Sequence, residues 1–96
     1  MDITKEISGE ETIIILKGWL DTQASPMLHE EIEKLDEGTK NLVLDFSLLE
    51  YISSSGVREV VAAYKKMNGA LLVKNASDGI MSIFKATGID KKIRFE

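Results

Sequence analysis

The sequence predicts a single α/β domain with the element order β-β-α-β-α-β-α-β, and three observations carry the prediction. Runs of β-branched and aliphatic residues alternate with segments whose apolar residues recur at helical spacing. Turn and cap residues mark the changes of period. The 96 residues are enough for one modest core and too few for two independently folding halves. No repeat, low-complexity segment or long linker interrupts them.

Ile3 and Ile7 share parity in an opening strand, Ser8-Gly9-Glu10 offers a turn, and Thr12 to Leu16 is β-branched, so the chain opens as an antiparallel hairpin. The unbroken apolar runs Ile13 to Leu16 and Leu42 to Leu44 predict strands covered on both faces. Ser25 is the expected N-cap of the first helix, with Pro26 at its first position, a stripe of Ala24, Leu28, Ile32 and Leu35, and Gly38 as its end. Glu30, Glu31, Glu33 and His29 form its wet face.

Leu42 to Phe46 reads as a strand followed by a short polar stretch. Helical spacing then resumes at Val57, Val60, Val61, Tyr64 and Met67, and Asn68-Gly69 stops it. Ala70 to Val73 is the next strand. Ser77 caps a third helix in which Ile80, Ile83, Phe84 and Thr87 share a face before Gly88. A short strand near Ile93 to Phe95 closes the domain.

The composition narrows the function. With no cysteine, a disulfide framework and a thiolate zinc site are excluded. The chain starts without a basic, apolar leader, which makes the cytosol the expected compartment. A formal charge of −4, with only the short basic pairs Lys65-Lys66 and Lys91-Lys92, opposes binding to nucleic acid or anionic lipid. No apolar run approaches the length of a bilayer crossing. The expected partners are proteins.

The most informative segment is Ile52-Ser53-Ser54-Ser55-Gly56-Val57, which places three hydroxyls where a strand gives way to a helix. Free N–H groups and the helix dipole favour an anion there. The serines are therefore candidate switch sites, or simply caps. Arg58 follows Ser54 by four residues, on the same side of the helix start; it is either a phosphate partner or a solvated arginine paired with an acid. Trp19, the only tryptophan, is either an exposed contact anchor or a packed residue of an edge strand. Asp21, at the strand end, reads as a solvated turn acid or a helix-entry acid.

Together these segments resemble the STAS domain of bacterial anti-sigma factor antagonists, also called anti-anti-sigma factors. The resemblance rests on Gly18-Trp19-Leu20-Asp21 with Ala24-Ser25-Pro26-Met27-Leu28, on Leu42-Val43-Leu44-Asp45 with Tyr51-Ile52-Ser53-Ser54-Ser55-Gly56-Val57, and on Phe84-Lys85-Ala86-Thr87-Gly88-Ile89-Asp90. It spans nearly the whole chain in the family's order. It implies a four- or five-stranded mixed sheet flanked by helices, and a partner-switching role in transcription. In that role the unphosphorylated protein binds an anti-sigma factor, usually a serine kinase with a GHKL-type ATPase fold, and thereby frees the sigma factor. Phosphorylation by the kinase reverses binding, and a serine phosphatase restores it. The family's phosphoacceptor commonly follows an aspartate and lies two residues before the glycine. That places it on Ser54, with Ser53 standing in for the aspartate and Ser55 as second choice. The expected partner-binding set is Trp19, Asp21, Ser53, Ser54, Ser55, Gly56 and Arg58.

Other classes find less support. The lone histidine lies on a wet helix face, and the serine run lacks the Gly-x-Ser-x-Gly elbow of a hydrolase. Phosphate-loop, dinucleotide and metal-ligand motifs are missing, so the protein is expected to be a non-enzyme without cofactor, any ATP belonging to the partner. A receiver-like phosphosignalling domain would use Asp45 at the end of a strand, but the paired acids that hold magnesium in receivers are lacking. A STAS accessory subunit of a membrane transporter shares the fold and is the other reading.

Overall fold

Antiparallel pairing of β1 (Asp2–Ser8) with β2 (Glu11–Leu20) opens the computed structural model, which describes residues 1–96. Gly9 makes the turn at φ 59°, a left-handed conformation that glycine adopts without penalty. From β2 onward the chain alternates: α1 (Ser25–Glu33), β3 (Asn41–Ile52), α2 (Ser54–Lys66), β4 (Leu71–Lys74), α3 (Asp78–Thr87) and β5 (Arg94–Phe95), with a 3-10 turn at Ile89–Lys91 before the last strand. The sheet has five strands in the order β1-β2-β3-β4-β5, and every pair after the first is parallel. The predicted order and mixed sheet are both present.

The predicted covering of both sheet faces is not. Ile14, Leu16, Leu20, Leu42, Leu44, Phe46, Leu71 and Val73 form one core with Leu28 and Ile32 of α1, Val57, Val60 and Ala63 of α2, and Ile80 and Phe84 of α3. All three helices thus lie on the same face. The reason is topological: crossovers of one hand that always step in the same direction across a sheet lay their helices on the same side. Covering the other side requires strand order to reverse, as in doubly wound folds. Ile13, Ile15 and Val43 point away from the helices, because successive side chains along a strand alternate and their chain neighbours Ile14, Leu16 and Leu44 point into the core.

Three local expectations also change. Ala24, not Ser25, is the N-cap of α1; Ser25 is the first helical residue, buried, and its hydroxyl donates to the Asp21 carbonyl at 2.7 Å. α1 ends at Glu33 with Lys34 as its cap, earlier than Gly38, which sits in a turn closed on the Asp36 carboxylate at 3.0 Å. β3 does not stop at Phe46. It runs twelve residues to Ile52, with register irregularities against β2 that re-aim Leu49 and Ile52 into the core.

The wet face of α1 does more than meet solvent. Glu31 pairs with Lys5 of β1 at 3.1 Å, His29 Nδ1 lies 3.0 Å from Glu59 of α2, and Glu33 lies 3.7 Å from Lys66. α3 behaves as read: Ser77 Oγ accepts the Ile80 N–H at 3.3 Å, and Gly88 closes the helix at φ 76°. Phe84 stacks obliquely between Phe46 and Phe95, at centroid separations of 6.4 and 5.1 Å. That aromatic row ties α3 to β3 and to the short last strand.

Candidate functional site

β3 passes into α2 with a single residue, Ser53, between them. Its hydroxyl accepts the Gly56 N–H at 3.2 Å and donates to the Leu20 carbonyl at 3.3 Å, while its own N–H donates to the same carbonyl at 2.9 Å. Ser53 therefore caps α2 and pins the helix start to the end of β2. Gly56 completes the seat. It is buried, and a Cβ there would stand 2.8 Å from the Leu20 carbonyl oxygen, the Leu20 Cγ and the Ile52 Cγ1. Only glycine lets the first turn approach β2 so closely, so its contribution is to place its neighbours.

The other two serines face outward in different ways. Ser55 Oγ lies 3.3 Å from Thr22 Oγ1 in the β2–α1 connection, and Ser55 is half-buried. Ser54 is exposed, begins the helix and has no hydrogen-bond partner for its hydroxyl within the protein. Of the three, it is the one open to a reagent.

Ser53 and Ser54 lie on the wall of a groove of about 450 Å³ between α2 and α3. Tyr51, Ile52, Val57, Ile83 and Ile89 line it, and Arg58 and Thr87 complete the lining. Arg58 is exposed and has no carboxylate within salt-bridge distance. It stands on the same groove as Ser54. Ile83, which shares a helix face with Ile80 and Phe84, is 37% exposed, because it faces this groove.

Trp19 lies beyond the last β1–β2 pair, at Asp2 and Lys17, and is 57% exposed. It stands directly across from Tyr51 on β3, with ring centroids 5.2 Å apart. Asp21 is half-buried, and its carboxylate accepts the Ala24 N–H at 2.9 Å, which makes it the acid that organises the entry to α1. Trp19 and Asp21 border a second, shallower depression with Met1, Gln23, Ala24 and Met27. The site is thus one end of the domain, where the C-terminal ends of β2 and β3 meet the start of α2.

The residues missed in the sequence are Thr22, Tyr51, Ile83 and Ile89. Tyr51 carried a signal, since parallel pairing of the two strands brings it opposite Trp19. Ile83 carried none, because an apolar residue on an apolar helix face reads as core.

Asp45 occupies the middle of β3 and not a strand end. Burial alone would raise its pKa, but the Ser47 backbone N–H at 2.9 Å, the Asn75 amide at 3.1 Å, the Ser47 side chain and the Lys74 charge together hold it below the ordinary aspartate value. Its hydrogen bonds tie β3 to the residue after β4.

No group of three or more acidic, histidine or cysteine side chains is arranged to hold a metal ion. No helix is long and apolar enough to cross a membrane.

Comparison with known proteins agrees with this architecture. The anti-sigma-B factor antagonist of Bacillus subtilis is 27% identical over 94 residues, 93% of this chain and 86% of that protein. An anti-sigma factor antagonist from Mycobacterium paratuberculosis superposes with a TM-score of 0.88 at 22% identity, over 98% of this chain and 83% of that one. The phosphorylated form of the Bacillus cell fate determinant SpoIIAA does so with a TM-score of 0.77 at 20% identity, over 99% and 91% of the two chains. At those identities the two structural likenesses bear on the fold. A family model described as "Mlab, STAS domain" matches residues 3–94, a span that includes β2, β3 and β4 entire, the three helices, the serine cap and the glycine seat, and the chain belongs to the STAS-domain family.

Proposed function

We propose that this protein is an anti-sigma factor antagonist that switches partners when Ser54 is phosphorylated. The single observation that carries the assignment to Ser54 is the division of labour among the serines. Ser53 is committed to capping and Ser55 touches Thr22, whereas Ser54 is exposed, unbonded and on an apolar groove beside an unpaired arginine. The role itself is supported by the similarity to the Bacillus subtilis antagonist over nearly the full length of this chain.

Unphosphorylated, the protein binds an anti-sigma factor that is also a serine kinase of the GHKL ATPase type, and the sigma factor is released. The bound partner covers the groove and the Trp19 edge. Phosphorylation adds about −1.5 to −2 charges and three acceptor oxygens at the rim. The first turn of α2 and Arg58 accommodate that charge, so the domain stays folded. A partner seated there must instead desolvate a dianion, and a penalty of about 1.4 kcal/mol already lowers affinity tenfold. A serine phosphatase returns the protein to the binding form, and the exchange takes place in the cytoplasm. The protein contributes no catalysis of its own.

The test is phosphorylation by the partner kinase and ATP of wild type, Ser54→Ala and Ser55→Ala, with the site mapped by mass spectrometry. Loss of label in Ser54→Ala alone is the expected result. Equal labelling of wild type and Ser54→Ala removes Ser54 from the mechanism. Recovery of a membrane transporter as the native partner would favour the accessory-subunit role over sigma control.

A further inference from the structure

We propose that the helix-free face of the sheet is a self-complementary surface on which a second copy of this chain docks. Parallel strands with unbroken apolar runs are ordinarily buried on both faces, yet here helices cover only one; on the other, Val43 is buried between its strand neighbours while Ile13 and Leu72 are half-buried. In-register pairing lines up Glu6, Ile13, Val43, Leu72 and Arg94 in a single row straight across β1 to β5 on the open face. The row has an acid at one end, three aliphatic residues in the middle and a base at the other end. A recess of about 140 Å³ borders it, walled in part by Glu11, Val43, Leu72 and Arg94. Further along β3 the same face presents Leu48 and Tyr51, 51% and 44% exposed, and Trp19 beside them.

The charge order selects the occupant and its orientation. A two-fold axis lying between two such faces and along β3 reverses the strand order, so that β1 of one copy lies over β5 of the other. Glu6 then faces the second copy's Arg94 at both ends of the row, and Ile13 faces Leu72. Val43, Leu48 and Tyr51 meet their own counterparts, with the sheets about 10 Å apart. An axis across the strands would instead set Glu6 on Glu6 and Arg94 on Arg94. Arg94 is available for the contact, its only ion pair being an exposed one with Glu96 at 3.3 Å. The neighbouring row fits less well: Asp45 approaches its own counterpart with Lys74 beside it, and Lys74 comes opposite Ile15 of the other copy. The surface is separate from the serine groove except at Tyr51.

Sedimentation equilibrium of the wild-type protein from micromolar to millimolar concentration tests the proposal. A reversible dimer is expected; a monomer throughout overturns the proposal. Leu48→Lys should raise the dimer dissociation constant at least tenfold, and Asp45→Asn should lower it. Glu6→Arg and Arg94→Glu should each weaken the dimer severalfold, and the double variant should restore it. A dimer indifferent to Leu48→Lys, or one that the charge swap fails to restore, overturns the arrangement. Thermal unfolding of each variant accompanies the measurement. To guard against a misfolded variant, Glu6→Cys with Arg94→Cys, in a chain that has no other cysteine, is treated with a short bis-maleimide. Within one chain the two positions are four strand spacings apart, about 19 Å, so a covalent dimer reports only the contact between copies. Absence of that product overturns the orientation.

Discussion

At the scale of single residues, the three adjacent serines have different work because the backbone changes direction beneath them. Ser53 is still extended and turns its hydroxyl onto the free N–H of Gly56, Ser54 is already helical and turns outward, and Ser55 meets Thr22. The sequence shows three equivalent hydroxyls; the difference arises where strand geometry gives way to helix geometry. Asp45 shows a similar gap between residue type and role. It reads as the end of a strand, but it is a mid-strand carboxylate that keeps its charge through hydrogen bonds from Ser47 and Asn75. Its folded-state pKa lies below the reference value of 3.8. The sign follows from linkage: a depressed carboxylate stabilises the fold above its unfolded pKa, and that stabilisation is lost as pH falls through the folded value. Denaturant midpoints measured from pH 5 downward should therefore fall more steeply for wild type than for Asp45→Asn, with the difference developing below about 3.8. Parallel curves would show that the hydrogen bonds at Asp45 do not favour its anion.

At the scale of elements, the seat of α2 on β2 decides where the candidate site sits. Ser53 and Gly56 fix that seat from opposite directions, one by hydrogen bonds to the Leu20 carbonyl and the other by having no Cβ against it. Gly56→Ala should destabilise the domain by roughly 1–3 kcal/mol, the usual cost of overpacking, despite the better helix propensity of alanine. Chemical denaturation would check it, and a stability equal to wild type would show that α2 can retreat from β2 without cost. Most elements were legible in the sequence because their signals are local. The Ser77 cap, the Gly88 stop and the 57-60-61-64 stripe need no knowledge of neighbours. The full length of β3 was not legible, since Ser47 and Glu50 interrupt the alternation exactly where irregular pairing with β2 restores it. The start of α1 was misplaced because Asp21 organises that turn from three residues upstream, leaving Ser25 free to be buried.

At the scale of the whole molecule, strand order is the feature no local pattern reveals. Because β2 to β5 are added in one direction, the helices share a face, the serine site collects at the C-terminal ends of β2 and β3, and a second, helix-free face is left open. The two surfaces meet at Tyr51, which lines the groove and also pairs with Trp19. The candidate site was legible as a segment and as a list of residues, while the groove was not, for it is made by α3 residues distant in the chain. The central claim is that phosphate on Ser54 lowers affinity for the anti-sigma factor without unfolding the domain. Calorimetric titration of that partner with unphosphorylated and Ser54-phosphorylated protein measures it directly. The account predicts at least a tenfold weaker association for the phosphorylated form, and equal affinities for the two forms would contradict it.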